Sequence, residues 1–145
     1  MKQVLYQYQS LCIKHDTEKK LLCLNWEDDV IDAVYSDVLK MLYQYTRELD
    51  VELWIIDASG AYNFQSLATY GFPLFFDPKL SPEVLAKVLK RTKLKKIARV
   101  ISQDIAFEAK INAFILQRQL PVRCGFFATE ASAVEWLYRE EKQTA

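Results

Sequence analysis

Glycine is scarce in this chain. Only Gly60, Gly71 and Gly125 occur, too dispersed to build a phosphate-cradling loop or a dinucleotide fingerprint, which excludes nucleotide chemistry by the standard motifs. Histidine is scarcer still: His15 stands alone, so a zinc or iron centre built on imidazoles is excluded. Cys12, Cys23 and Cys124 lie inside apolar runs with no Cys-x-x-Cys spacing, and are expected as buried free thiols rather than metal or redox ligands. No metal and no cofactor are expected. Charge of one sign is not in excess, since 19 basic residues balance 19 acidic ones, and strong whole-molecule attraction to nucleic acid or anionic membranes is not expected. No stretch approaches the roughly 18 apolar residues of a membrane-spanning helix, and Met1 to Gln9 alternates polar with apolar instead of forming a signal-type run. A cytoplasmic protein without membrane insertion is expected.

What the chain does have is enough apolar residue for one core. With 145 residues, 51% of them hydrophobic, it can bury roughly two thirds of its unfolded surface as a single domain spanning residues 1–145. Three strand candidates come first: Gln3 to Tyr8, Leu11 to His15 and Lys20 to Trp26, the last two joined by the turn Asp16-Thr17-Glu18-Lys19 in an antiparallel meander. Asp28 or Asp29 then caps a long helix whose apolar positions Val30, Val34, Val38, Met41 or Leu42, Tyr45 and Leu49 recur every three or four residues. Val51 to Asp57 is a nearly continuous apolar run, as expected of a parallel strand covered on both faces, and Asp57-Ala58-Ser59-Gly60 closes it with a turn. Residues 61–80 read as a short helix and a loop. Ser81-Pro82-Glu83 opens a helix that stops near Leu94. Lys96 to Ser102 is a strand, Asp104 caps a helix to about Gln119, Val122 to Phe127 is the last strand, and Thr129 caps a terminal helix carrying Val134 and Leu137. The expected fold is α/β: a mixed sheet of about five or six strands, an N-terminal antiparallel meander followed by parallel βαβ units.

In this layout Trp54 and Asp57 end the fourth strand, Leu94-Lys95-Lys96-Ile97-Ala98 enters the fifth, Val122-Arg123 opens the last, and Ala133-Val134-Glu135-Trp136-Leu137 stands near the end. With these residues the layout resembles the SpoIIAA-like (STAS/SEC14-type) family of small bacterial proteins. The resemblance implies a SpoIIAA-like fold, and roles such as those of anti-sigma-factor antagonists and lipid-binding modules.

Four features are candidates for function, each with a plain structural reading beside it. Asp57-Ala58-Ser59-Gly60 resembles the Asp-Ser-Ser-Gly stretch phosphorylated in anti-sigma antagonists, which makes Ser59 a possible phosphosite; the alternative is a polar turn closing a strand. Lys87, Lys90, Arg91, Lys93, Lys95, Lys96 and Arg99 form a basic block, to be read as a phosphate site or as a solvated face complementing helix dipoles. The aromatic segment containing Tyr62, Phe64, Phe72 and Phe75 is either core cover, a pocket lid or the interface of a homodimer. Asp57, at a strand's C-terminal end, is the lone candidate for acid or base work in a small hydrolase or isomerase. With no nucleophile and base at recognisable spacing, the expected function is a binding or regulatory module without enzymatic activity that contacts a protein partner. A carrier of a small apolar or lipid-like ligand is the alternative.

The hairpin adds a geometric expectation. A loop of Asp16 to Lys19 sets His15 opposite Lys20 and therefore Cys12 directly opposite Cys23, with Cβ atoms roughly 4.5–5.5 Å apart and both thiols free.

Overall fold

The apolar runs become six strands in the computed structural model, which describes residues 2–8, 11–29, 41–62, 87, 90–106, 108–109, 112–113 and 122–139. They are β1 (Lys2–Tyr8), β2 (Leu11–Asp16), β3 (Leu21–Asp29), β4 (Leu53–Tyr62), β5 (Lys96–Val100) and β6 (Arg123–Phe127). One sheet holds all six in sequence order. β1–β2 and β2–β3 pair antiparallel, and β3–β4, β4–β5 and β5–β6 pair parallel. The expected mixed α/β sheet with a meander at one side is therefore present. One helix is described along its length, α2 (Glu130–Leu137), and residues 41–48 are helical, here labelled α1. Residues 105–106, 108–109 and 112–113 are also helical. The helix expected from Ser81 lies largely outside the described residues.

Alternation decides what each face buries. Leu11, Ile13, Leu22, Leu24, Trp26, Trp54, Ile56 and Ile97 form one cluster, joined by Leu42 of α1 and by Val51. Leu21, Cys23, Leu53, Ile55, Ala98 and Val100 point the other way and pack with Ala133 and Leu137 of α2. The parallel strands are thus covered on both faces, as parallel strands require. Over the outer part of the meander the α2-side face carries exposed Lys2, Val4, Gln7, Lys14 and Asn25. α1 is fastened to β4 by a buried pair of bonds: Thr46 Oγ1 donates to the Leu42 carbonyl at 2.7 Å and accepts from Trp54 Nε1 at 2.7 Å.

The β2–β3 turn corrects the expected register. Asp16 still pairs, opposite Leu21, and the loop is residues 17–20. Its carboxylate accepts from the Lys19 N–H at 3.2 Å, while Lys20 takes the left-handed conformation at φ 54°. Moving the loop one residue along sets Cys12 opposite Asn25 and Cys23 opposite Lys14. Each partner shifts by two positions, so the cysteines keep a common face but stand as diagonal neighbours, typically spaced roughly 7–8 Å with the Cβ atoms somewhat closer, which is wider than directly opposed residues and than a disulfide's Cβ spacing of about 3.8 Å. All three thiols are free.

Strand lengths differ as well. β3 runs on through Asp28 and Asp29, which pair with Ala61 and Tyr62, so these acids belong to the ladder. β4 does not end at Asp57: Asp57-Ala58-Ser59-Gly60 lies inside it, at an irregularity where Asn25 pairs with Asp57 and Glu27 with Gly60. Three steps on β4 match two on β3, which is a bulge, and Ser59 N–H donating to Asp57 Oδ1 at 3.0 Å holds it. β5 closes at Val100, two residues early, although the Ile101 N–H still reaches the Phe127 carbonyl at 2.9 Å. Thr129 caps α2 as expected, its hydroxyl accepting from the Ser132 N–H at 3.2 Å. Gly125 in β6 has a packing reason, since a Cβ there would lie 2.7 Å from the Phe127 ring, which stacks at a tilt on Trp136.

Candidate functional site

Two ends of the sheet carry the candidate chemistry. Towards the C-terminal end of β4, within the bulge, Ser59 is exposed next to a half-buried Asp57. Ser59 Oγ donates to Asp57 Oδ1 at 2.6 Å. One carboxylate oxygen therefore accepts two bonds from the same residue, which fixes the hydroxyl's position without burying it. Tyr62 contributes its backbone to the end of β4; Phe64, Phe72 and Phe75 lie outside the described residues.

The N-terminal rim of the parallel strands is built differently. Strand starts are aligned there by a chain of backbone bonds: Glu52 N–H to the Lys20 carbonyl at 3.0 Å, Lys95 N–H to the Glu52 carbonyl at 2.8 Å, and Arg123 N–H to the Lys95 carbonyl at 3.0 Å. The alignment sets charged residues side by side. Lys95 meets Glu52 at 2.6 Å, Lys20 meets Glu52 at 3.3 Å and Asp50 at 3.6 Å, and Lys93 meets Asp50 at 3.4 Å. The hydrogen bond from Lys95 holds the Glu52 carboxyl below its ordinary value, and that from Lys93 does the same for Asp50.

One residue inward, Lys96 is buried. Its Nζ donates to the carbonyls of Trp136, Leu137 and Arg139 at 3.0, 3.4 and 3.3 Å and lies 4.9 Å from the centre of the Trp136 ring. α2 has no basic residue in its own last turn; β5 supplies the cation that its carbonyl end requires. Burial pushes the Lys96 ammonium below its ordinary value, helped by the guanidinium groups of Arg123 and Arg139. Above this end of the sheet lies a cleft of about 420 Å³ whose walls include Lys19, Leu53, Arg123, Leu137 and Tyr138.

On the opposite face of β5, Arg99 forms a buried two-point pair with Glu108, Nε to Oε1 at 2.6 Å and Nη2 to Oε2 at 2.9 Å, and Ser102 Oγ donates to the same carboxylate at 2.9 Å. This is a structural clamp between β5 and the helical residues that follow. The basic block read from the sequence is accordingly not one surface. Lys93 and Lys95 face solvent and acids, Lys96 and Arg99 are inside on opposite faces, and Lys87, Lys90 and Arg91 are exposed. Alternation along a strand buried on both sides was the signal that separates them. His15 is buried, and its Nε2 has no hydrogen-bond partner among the described residues. No group of three potential metal ligands occurs among the described residues, and no described helix is long and apolar enough to cross a membrane. Compared with protein-family models, curated proteins and solved structures, the chain has no significant match.

Proposed function

We propose that this chain is a SpoIIAA-like binding or regulatory module without enzymatic activity, which contacts a protein partner through the bulged C-terminal end of β4. The observation that carries the reading is the Asp57–Ser59 pair. Within the bulge on this central strand stands an exposed hydroxyl held at 2.6 Å by its neighbour's carboxylate. Such a fixed hydroxyl suits recognition by a partner and modification by a kinase, because a phosphate at Ser59 would place two negative groups where one carboxylate stands and would expel a partner fitted to the neutral form. The same bond argues against Asp57 as a general base, since its Oδ1 is occupied in holding the bulge.

Native mass spectrometry of the chain purified from its own host, as wild type and as Ser59→Glu, tests the reading. A stoichiometric protein partner carried by the wild type and lost from Ser59→Glu, with an unchanged melting temperature, supports it. A partner retained equally by both forms removes Ser59 from the contact surface, and a lipid-sized adduct in place of a protein replaces the module with a carrier.

A further inference from the structure

β1 stands at one edge of the sheet, with β2 and β3 between it and β4, so a contact made there is independent of one made at Ser59. Among the described residues no strand pairs with its outer side, and Lys2, Gln3, Val4 and Gln7 are exposed. An edge strand offers its outward N–H and C=O groups to any strand that can approach, and proteins ordinarily blunt such edges with proline, with several charges or by keeping the strand short. β1 uses none of these. Its seven residues, Lys-Gln-Val-Leu-Tyr-Gln-Tyr, hold one charge, at the start, and no proline, and Val4 leaves 51% of its surface open.

The irregularity between Val4 and Tyr6 decides what fits this edge. Leu5 is the extra residue there, and it breaks the alternation of the strand. Val4 and Gln7 stand opposite Lys14 and Cys12 on the α2-side face, whereas Leu5 and Tyr6, neighbours in sequence, both pack against the core cluster that α1 joins. A two-fold axis perpendicular to the sheet lays a strand antiparallel to its own copy and requires residues that face each other to share a face. A regular strand satisfies this only by setting a residue against itself. With the bulge, Leu5 can face Tyr6 of a second copy, Val4 can face Gln7 and Gln3 can face Tyr8, every pair matching in face and every pair made twice. We propose that β1 is a homodimer joint, in which two copies pair β1 with β1 antiparallel in this register and their sheets become one. The α1-side core, which ends at the partly buried Leu5 and Tyr6, then continues across the axis. Charge favours the same arrangement: antiparallel pairing holds the two Lys2 side chains roughly 20 Å apart, where parallel pairing would set them side by side. Pairing β1 with β6, the other edge, would instead be head-to-tail and would build an open-ended row of sheets in place of a closed pair.

Sedimentation equilibrium of the full chain, from about 1 to 300 μM, tests the joint. Seven residues a side make less contact than a standard interface, so the expected result is a monomer–dimer equilibrium with Kd on the order of 10 μM. The amides of β1 should gain protection from hydrogen exchange over the same rise in concentration. Two double variants read the register, because Val4 faces Gln7 twice across the axis. Val4→Lys/Gln7→Lys sets like charges opposite each other and should weaken association about tenfold or more, while Val4→Lys/Gln7→Glu sets opposite charges there and should keep it at wild-type strength or above. Both positions are exposed, so both variants should retain the wild-type circular dichroism spectrum. The proposal is overturned if the wild type stays monomeric throughout, if it grows beyond a dimer, if the amides of β1 gain no protection, or if the two variants associate equally.

Discussion

Trp54 is 1% exposed, and an indole N–H so deeply placed needs an acceptor. Thr46 provides it, and Thr46 is itself available only because its hydroxyl proton goes back to the Leu42 carbonyl in the helix. Valine in place of Thr46 keeps the shape and removes the acceptor. Thr46→Val should therefore lower stability by about 1–3 kcal/mol, the penalty of an orphaned buried donor. Urea unfolding checks it, and the loss should shrink when Trp54→Phe is present as well, because the two residues share one bond. Lys20 illustrates a different residue-scale choice. A non-glycine at φ 54° is strained, yet its carbonyl accepts from both Glu52 and Leu53 at 3.0 and 3.2 Å, so the turn also docks the start of β4. That role was illegible from the sequence, where four polar residues between two strands carry no mark of which one turns left-handed. The one-residue error in the loop, and with it the opposition of Cys12 and Cys23, follows from the same silence.

Whole elements were far easier to read than their ends. Runs such as Leu21-Leu22-Cys23-Leu24 and Trp54-Ile55-Ile56 are too apolar to be anything but covered strands, and Thr129 before an amphipathic stretch marks the start of α2. The ends went astray where polar residues continue a strand: Asp28 and Asp29 look like helix caps, and Asp57-Ala58-Ser59-Gly60 looks like a turn, but ladder pairing outweighs those local preferences once β3 and β4 lie side by side. A bulge costs little and lets both strands continue. Between elements, the clamp from β5 to the following helical residues should be the costliest to break. Glu108→Ala leaves the Arg99 guanidinium charged and buried, and should destabilise by roughly 3–5 kcal/mol in chemical denaturation. Replacing both members, Arg99→Met with Glu108→Leu, should recover most of that loss, since the desolvation cost leaves with the charges.

At the scale of the molecule, the charged rim ties together the starts of neighbouring segments, and its carboxylates set an acid dependence. Glu52 and Asp50 both ionise more readily in the folded chain than their ordinary values of 4.5 and 3.8 imply. A depressed carboxylate contributes stability above its unfolded value and loses it as pH falls through the lower folded value. Stability should thus be flat near neutrality and decline below about pH 5, and Glu52→Gln should flatten part of that decline without changing the plateau by much, because exposed pairs are weak. Urea midpoints measured across the acid range read this directly. The rim cleft was invisible from the sequence for a reason of scale: its walls come from residues 19, 52–53, 95–96, 123 and 137–139, and no single window of the chain contains two of its strands. The Asp57–Ser59 site, carried by three consecutive residues, could be found.

Because the strands stand in the sheet in the order in which they occur in the chain, the order of assembly can be the order of synthesis. A growing polypeptide leaving the ribosome never has to hold a gap open for a strand made later; each new strand adds to the edge just completed. Among the described elements only α2 breaks the pattern, since it returns across β5, β6 and β4 after the sheet is finished. Until its last turn arrives to meet Lys96, the part of the Leu21, Leu53, Ile55 and Ala98 surface that it covers stays open to water. The nascent chain is therefore most vulnerable to sticking to its neighbours in the interval between the emergence of β6 and the docking of α2.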